Sequence, residues 1–131
     1  MSARAVWDFT TGDARRFCDR LSLIIDTAEE FARRGVKPDF VLLLHAAATQ
    51  FGARTLRGTK FDKPDAAPLS PAHDLLRKFS AMGGRVVVCG IAMERSAIAT
   101  DNLIDCATIE RNVFVSSVAL QNEGYAYMQI A

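Results

Sequence analysis

Residues Arg4 to Phe9 alternate in polarity and end on the aromatic pair Trp7 and Phe9, the two-residue rhythm of a β-strand. The rhythm then changes. Phe17, Leu21, Ile24, Ile25, Ala28, Phe31 and Ala32 recur at helical spacing. Thr10 and Asp13 have the separation of a capping box at the helix start, with Asp in place of the usual Glu. Arg33, Arg34 and Gly35 supply cations in the last turn and a terminating glycine. Pro38 to Leu44 is almost continuously apolar, which fits a strand covered on both faces of a parallel sheet. "AAATQF" then predicts a short helix.

From Arg54 to Pro71 periodicity fails. The stretch holds Gly58, Pro64, Pro68 and Pro71 with charges of both signs, and it predicts a long surface loop. Loops of that length in compact domains often serve as lids or binding loops. Ser70 as cap and Pro71 at the first helical position then open a helix. Its apolar stripe is Ala72, Leu75, Leu76, Phe79 and Met82, and Gly83–Gly84 ends it. Arg85 to Cys89 is a third strand. Thr100 or Asp101 is expected to cap a short helix through Leu103 and Ile104, and Ala107 to Glu110 to form a fourth strand. "NVFVSSVALQNEG" is ambiguous: its β-branched residues favour a strand, while Phe114, Val118, Gln121 and Gly124 fit a helix. "YAYMQI" alternates as a last strand. Strands alternating with helices specify an α/β sandwich around a mostly parallel sheet, with right-handed crossovers placing helices on both faces.

Length and composition narrow the classes. At 131 residues the chain is expected to be one domain. Half of its residues are hydrophobic, enough for a real core and somewhat more than a small monomer needs, so a subunit interface is expected. A net charge of +1 with mixed signs argues against nucleic acid or an acidic membrane as partner. No stretch approaches the roughly 18 apolar residues of a membrane span. The first residues lack the apolar core of a signal peptide. Three widely spaced cysteines do not make a disulfide framework, so a reducing, cytoplasmic location is expected.

In an open parallel sheet, ligand sites lie beyond the carboxyl ends of the strands. Three segments arrive there: "DFTTGD" with Asp8 and Thr10, "HAAATQ" with His45, and "CGIAMERS" with Cys89, Gly90 and Arg95. A cysteine at such a rim becomes chemically useful when backbone N–H groups or a nearby cation favour its thiolate. Gly90 lets the backbone turn closely. Arg95 is the nearest cation in sequence, and the long loop offers Arg54, Arg57 and Lys60. The competing reading is that Cys89 only fills space at the end of a core strand. Cys18 shares a helical face with core residues, and Cys106 is a packing residue or a resolving partner for Cys89. His73, in the first turn of its helix, is expected to be exposed. There is no Gly-x-Gly-x-x-Gly, Walker loop, Cys-x-x-Cys, zinc-spaced cluster or Gly-x-Ser-x-Gly, so neither cofactor nor metal is expected.

Three segments in order, "VWDFTTGD", "VCGIAMERSAI" and "ALQNEGYAYMQIA", resemble the DsrE/DsrF-like family across essentially the whole chain. The resemblance implies a three-layer α/β/α sandwich around a five-stranded sheet, with "NVFVSSVALQN" as a helix. It implies self-assembly, commonly as trimers or hexamers. It also implies a catalytic role for Cys89, which would carry sulfur as a persulfide between donor and acceptor proteins. Position at the same rim makes His45, Gly90, Arg95, Asp8 and Thr10 the candidate assisting residues. Three functions follow for test: a sulfur carrier on Cys89, an oligomeric binding module with an inert Cys89, and a thiol hydrolase or transferase using His45 as base.

Overall fold

A computed structural model describes residues 1–131. Five strands, β1 (Ser2–Phe9), β2 (Lys37–Leu44), β3 (Arg85–Cys89), β4 (Ala107–Glu110) and β5 (Ala126–Ile130), form one sheet in the order β4-β3-β2-β1-β5. All four pairings are parallel. Helices α1 (Ala14–Arg33), α2 (Ser70–Ala81), α3 (Gly90–Arg95) and α4 (Val113–Asn122) connect them, together with a 3-10 helix over Ala46–Gly52. The chain is thus an α/β protein with a five-stranded parallel sheet.

The topology follows from handedness. From β1 to β4 the chain steps in one direction across the sheet, so right-handed crossovers put α1 and α2 on the same face. From β4 it must return past β3, β2 and β1 to reach the opposite edge. A right-handed return in the reverse direction places α4 on the other face. The strands' side chains divide accordingly. Trp7, Phe9, Leu42, Leu44, Val86 and Val88 join a core of 23 residues, whereas Val6, Val41, Leu43, Val87 and Cys89 join one of seven that also holds Val113 and Tyr125. Cys89 therefore belongs to the thinner, more lightly covered side.

α1 turns Phe17, Leu21, Ile24, Ile25 and Ala28 into the thick core, as its periodicity predicts. Burying each of the larger ones is worth about 1.5–3 kcal/mol. Phe31 is half-buried against Phe40 and Ala32 is exposed. Gly35, at φ +75°, ends the helix in the left-handed conformation. β2 is buried from Phe40 through Leu44, the consequence of a central strand covered on both faces.

Four local expectations need correction. The cap of α1 is Asp13 itself, whose carboxylate accepts the Arg16 N–H at 3.0 Å. Thr10 instead continues the sheet, its N–H donating to the Ile130 carbonyl at 2.9 Å. α2 begins at Ser70, after Leu69, and Ser70 is not its side-chain cap. No helix forms at 100–104. There the chain pairs with the long loop instead: Ala53 bridges Leu103, Arg54 N–H donates to the Asn102 carbonyl, and the Asn102 side chain bonds both the N–H and the carbonyl of Thr55. His73 is buried, because its side of α2 packs on the 3-10 helix, and burial pushes its imidazole pKa down. The long loop has neither helix nor strand, as expected, but it is tied to the body through these bonds and through the Lys60 N–H on the Ser96 carbonyl. No helix is long and apolar enough to cross a membrane.

Candidate functional site

Cys89 is the last residue of β3, and its side chain is 6% exposed. Its Sγ lies 3.8 Å from the Arg111 carbonyl, a long thiol hydrogen bond. The same carbonyl accepts the Ile91 N–H at 3.0 Å, so the start of α3 and the β4–α4 junction are pulled together. Gly90 makes that approach possible: a Cβ there would stand 3.2 Å from the Arg111 Cα and 3.3 Å from the Ile109 Cγ2. Gly90 shapes the backbone beside the thiol and does not line the space in front of it.

That space is an open cavity of about 660 Å³. β2 brings His45 to it. Leu44 pairs with Val88, so His45 and Cys89 are the next residues along two neighbouring strands. Ala46, directly after His45, takes φ +51°, a left-handed conformation that costs a non-glycine residue about 1–2 kcal/mol. The turn starts the 3-10 helix and leaves the His45 ring at the cavity wall. Arg95 enters from the end of α3, Lys60 from the long loop, and Asn112 and Phe114 from the start of α4. Asn112 caps α4 by accepting the Phe114 N–H at 3.0 Å. Arg54 and Arg57 do not line this cavity, and Thr10 stands away from it.

Behind His45 lies a second polar layer. Its Nε2 is 2.5 Å from Asp8 Oδ1, and the Tyr127 hydroxyl donates to Asp8 Oδ2. The Phe114 ring meets His45 edge-on at 5.6 Å. Burial pushes the Asp8 carboxyl up, but the hydrogen bonds from His45 and Tyr127 and the His45 charge outweigh it, and the pKa lies below the usual value. The Tyr127 hydroxyl is pushed up to about 12, first by its bond to Asp8, then by burial and the Asp8 charge. In a neutral imidazole whose Nε2–H is given to the carboxylate, Nδ1 is the acceptor nitrogen. Asp8 thus holds the tautomer and orientation of a histidine that shares a cavity with a thiol.

The other cysteines stand apart. Val86 pairs with Ala107, so Cys106 is level with Arg85, four residues from Cys89 and about 13 Å away at strand rise. A disulfide needs Cα atoms within about 7 Å, so Cys106 does not resolve Cys89. It lines a different concavity, of about 430 Å³, and burial followed by the Asp105 charge pushes its thiol pKa up. Burial does the same to Cys18, half-buried on α1. No three His, Cys, Asp or Glu side chains converge as metal ligands.

Sequence reasoning placed Cys89, His45 and Arg95 at one rim, and all three line the cavity. It missed Tyr127 and Asn112. The N-cap preference for Asn ahead of an apolar helix could have found Asn112. Nothing local marks Tyr127, whose role depends on β5 lying beside β1.

Comparison with known proteins supports the architecture. An uncharacterised protein of Aquifex aeolicus (strain VF5) is 28% identical over 126 residues, which are 95% of this chain and 55% of that protein. The chain thus spans about half the length of this curated relative. Among solved structures, the protein of unknown function MTH1491 from Methanobacterium thermoautotrophicum superposes with a TM-score of 0.77 at 15% identity. The YchN protein of E. coli does so with a TM-score of 0.66 at 18% identity. In both cases the match covers 98% of this chain and 99% of the other, and at these identities it speaks for the fold alone. The sequence model of the DsrE/DsrF-like family matches residues 9–130, from the end of β1 through β5, and it is to this family that the chain belongs.

Proposed function

We propose that the protein is a sulfur carrier that holds sulfane sulfur as a persulfide on Cys89. The supporting observation is a thiol at the carboxyl end of the sheet, facing a cavity it shares with a carboxylate-anchored histidine and two cations, in a chain of this family. The Cys89 thiolate attacks the outer sulfur of a donor. A new S–S bond forms, the donor's own bond to that sulfur breaks, and its electron pair leaves with the remainder. His45, with Nδ1 free, takes the thiol proton. An acceptor thiolate then attacks the outer sulfur of the persulfide in turn. We place this activity in the cytoplasm, where cysteines stay reduced. A sulfur donor, an acceptor protein and a homo-oligomer, a trimer or hexamer, belong to the same reading.

Intact-protein mass spectrometry after brief exposure to polysulfide tests it. Wild type and Cys106→Ser gain one or more sulfur atoms and Cys89→Ser gains none. Loading that survives in folded Cys89→Ser removes the assignment.

A second reading is a binding module in which Cys89 is inert, favoured by its low exposure and its membership of the thin core. On that reading a folded wild type takes up no sulfur, and Cys89 resists alkylation.

A further inference from the structure

We infer that the Cys89 cavity selects small anions, and that its sulfur donor, on the carrier reading above, is a low-molecular-weight anionic sulfane compound. The charge around the cavity is one-sided. Lys60 and Arg95 both line it, and neither has an acidic partner anywhere in the chain. No carboxylate lines it. Asp8 lies behind His45, with one oxygen taken by the imidazole and the other by Tyr127, and Glu110, level with Cys89 on β4, lines the other concavity and accepts from the Ser116 hydroxyl. Asn112 adds a polar side chain, and Cys89 sits at the cavity wall. Unpaired cations around a concave, partly apolar wall raise the local concentration of anions.

The loop makes this arrangement a fixed one. Lys60 comes from the long loop, far in sequence from Arg95, yet its N–H donates to the carbonyl of Ser96, the residue after Arg95, at 2.9 Å. One backbone bond therefore joins the two segments that carry the cations. The size of the space and the recessed position of the thiol suit a small molecule. The chemistry asks for the same charge twice. The donor arrives negative, and after Cys89 takes its outer sulfur the remainder departs with the electron pair of the broken bond, also as an anion. The same cations receive both, and no oxidant is needed.

The test compares alkylation of Cys89 by iodoacetate, an anion, and iodoacetamide, its neutral analogue, read by peptide mass spectrometry. In wild type at low salt the iodoacetate-to-iodoacetamide rate ratio at Cys89 is expected to exceed that of the Lys60→Gln/Arg95→Gln double variant roughly 3- to 10-fold. The excess shrinks as salt is added. A ratio unchanged in the double variant, with Cys89 reacting well with iodoacetamide, overturns anion selection and leaves the carrier reading standing. If Cys89 reacts with neither reagent, the carrier reading fails, and sulfate decides the cavity. Sulfate should raise the melting midpoint of Cys89→Ser more than that of the triple variant lacking both cations. Equal shifts in the two overturn the inference.

Discussion

Asp8 is a carboxylate with no free oxygen. His45 holds one side and Tyr127 the other, and their bonds keep it ionised below the usual range despite burial. Replacing Tyr127 with Phe removes a donor to a charged group, a loss of about 1 kcal/mol at neutral pH after allowing for the exposure of Tyr127. The sign of the pH dependence follows from linkage. A carboxyl whose pKa is lower folded than unfolded stabilises the fold above its unfolded value, near 3.8, and that contribution disappears as the pH falls through the folded pKa. The stability gap between wild type and Tyr127→Phe, measured by urea unfolding, should be open at pH 7 and close in acid. A gap that persists undiminished in strong acid would mean that Tyr127 acts through packing instead. The chain's pattern puts Asp8 at the rim of the sheet but does not reveal its role, because Tyr127, the partner that fixes it, lies 119 residues away.

At the level of elements, the best-read segments were those whose burial repeats their own period. α1 buries one stripe, and β2 buries a continuous run. Val113–Asn122, ambiguous in its own pattern and a helix on the family resemblance, is helical against its β-branched propensity, in the connection that returns the chain from β4 to β5. Misreading occurred where distant partners decide. Residues 100–104 lost their expected helix to the long loop, and His73 is buried by a neighbour that α2's sequence does not mention. α1 also reaches the site indirectly. Phe17 stacks on Phe51 with ring centres 4.2 Å apart and meets Phe9 at 4.9 Å. Phe51 lies in the 3-10 helix that His45 introduces. Phe17→Ala opens a cavity in this trio and is expected to cost about 3–5 kcal/mol. Chemical denaturation would measure it, and a change below 1 kcal/mol would contradict the packing described.

For the molecule as a whole, the thick face is closed and the thin face is not. α4 carries apolar side chains on its outer side as well as its inner one. Val113 and Ser117 turn inward, while Phe114, Val115 and Val118 are exposed, and Tyr127 on edge strand β5 is exposed on the same face of the sheet. Large apolar side chains gathered on an outer helix face are ordinarily covered by a partner, and an exposed edge strand invites pairing. This surface supports the proposed assembly of identical copies. Sedimentation at micromolar concentration should give a multiple of the 14.3 kDa chain mass. Val115→Glu with Val118→Glu, two positions that do not line the Cys89 cavity, should drive it to monomers. A wild type that sediments as a monomer would refute the assembly.

The pairing of β1 with β5 also has a consequence in time. A ribosome makes Asp8 early, then His45, then Cys89, and only afterwards α4 and Tyr127. Until those last segments emerge, the histidine lacks its complete anchor and the thiol lacks one wall of its cavity. A prematurely terminated chain would therefore display Cys89 without the surroundings that control it. Such a chain should be more open to indiscriminate oxidation than the finished protein. The last strand to be added to the sheet thus marks the moment at which the cysteine acquires its environment.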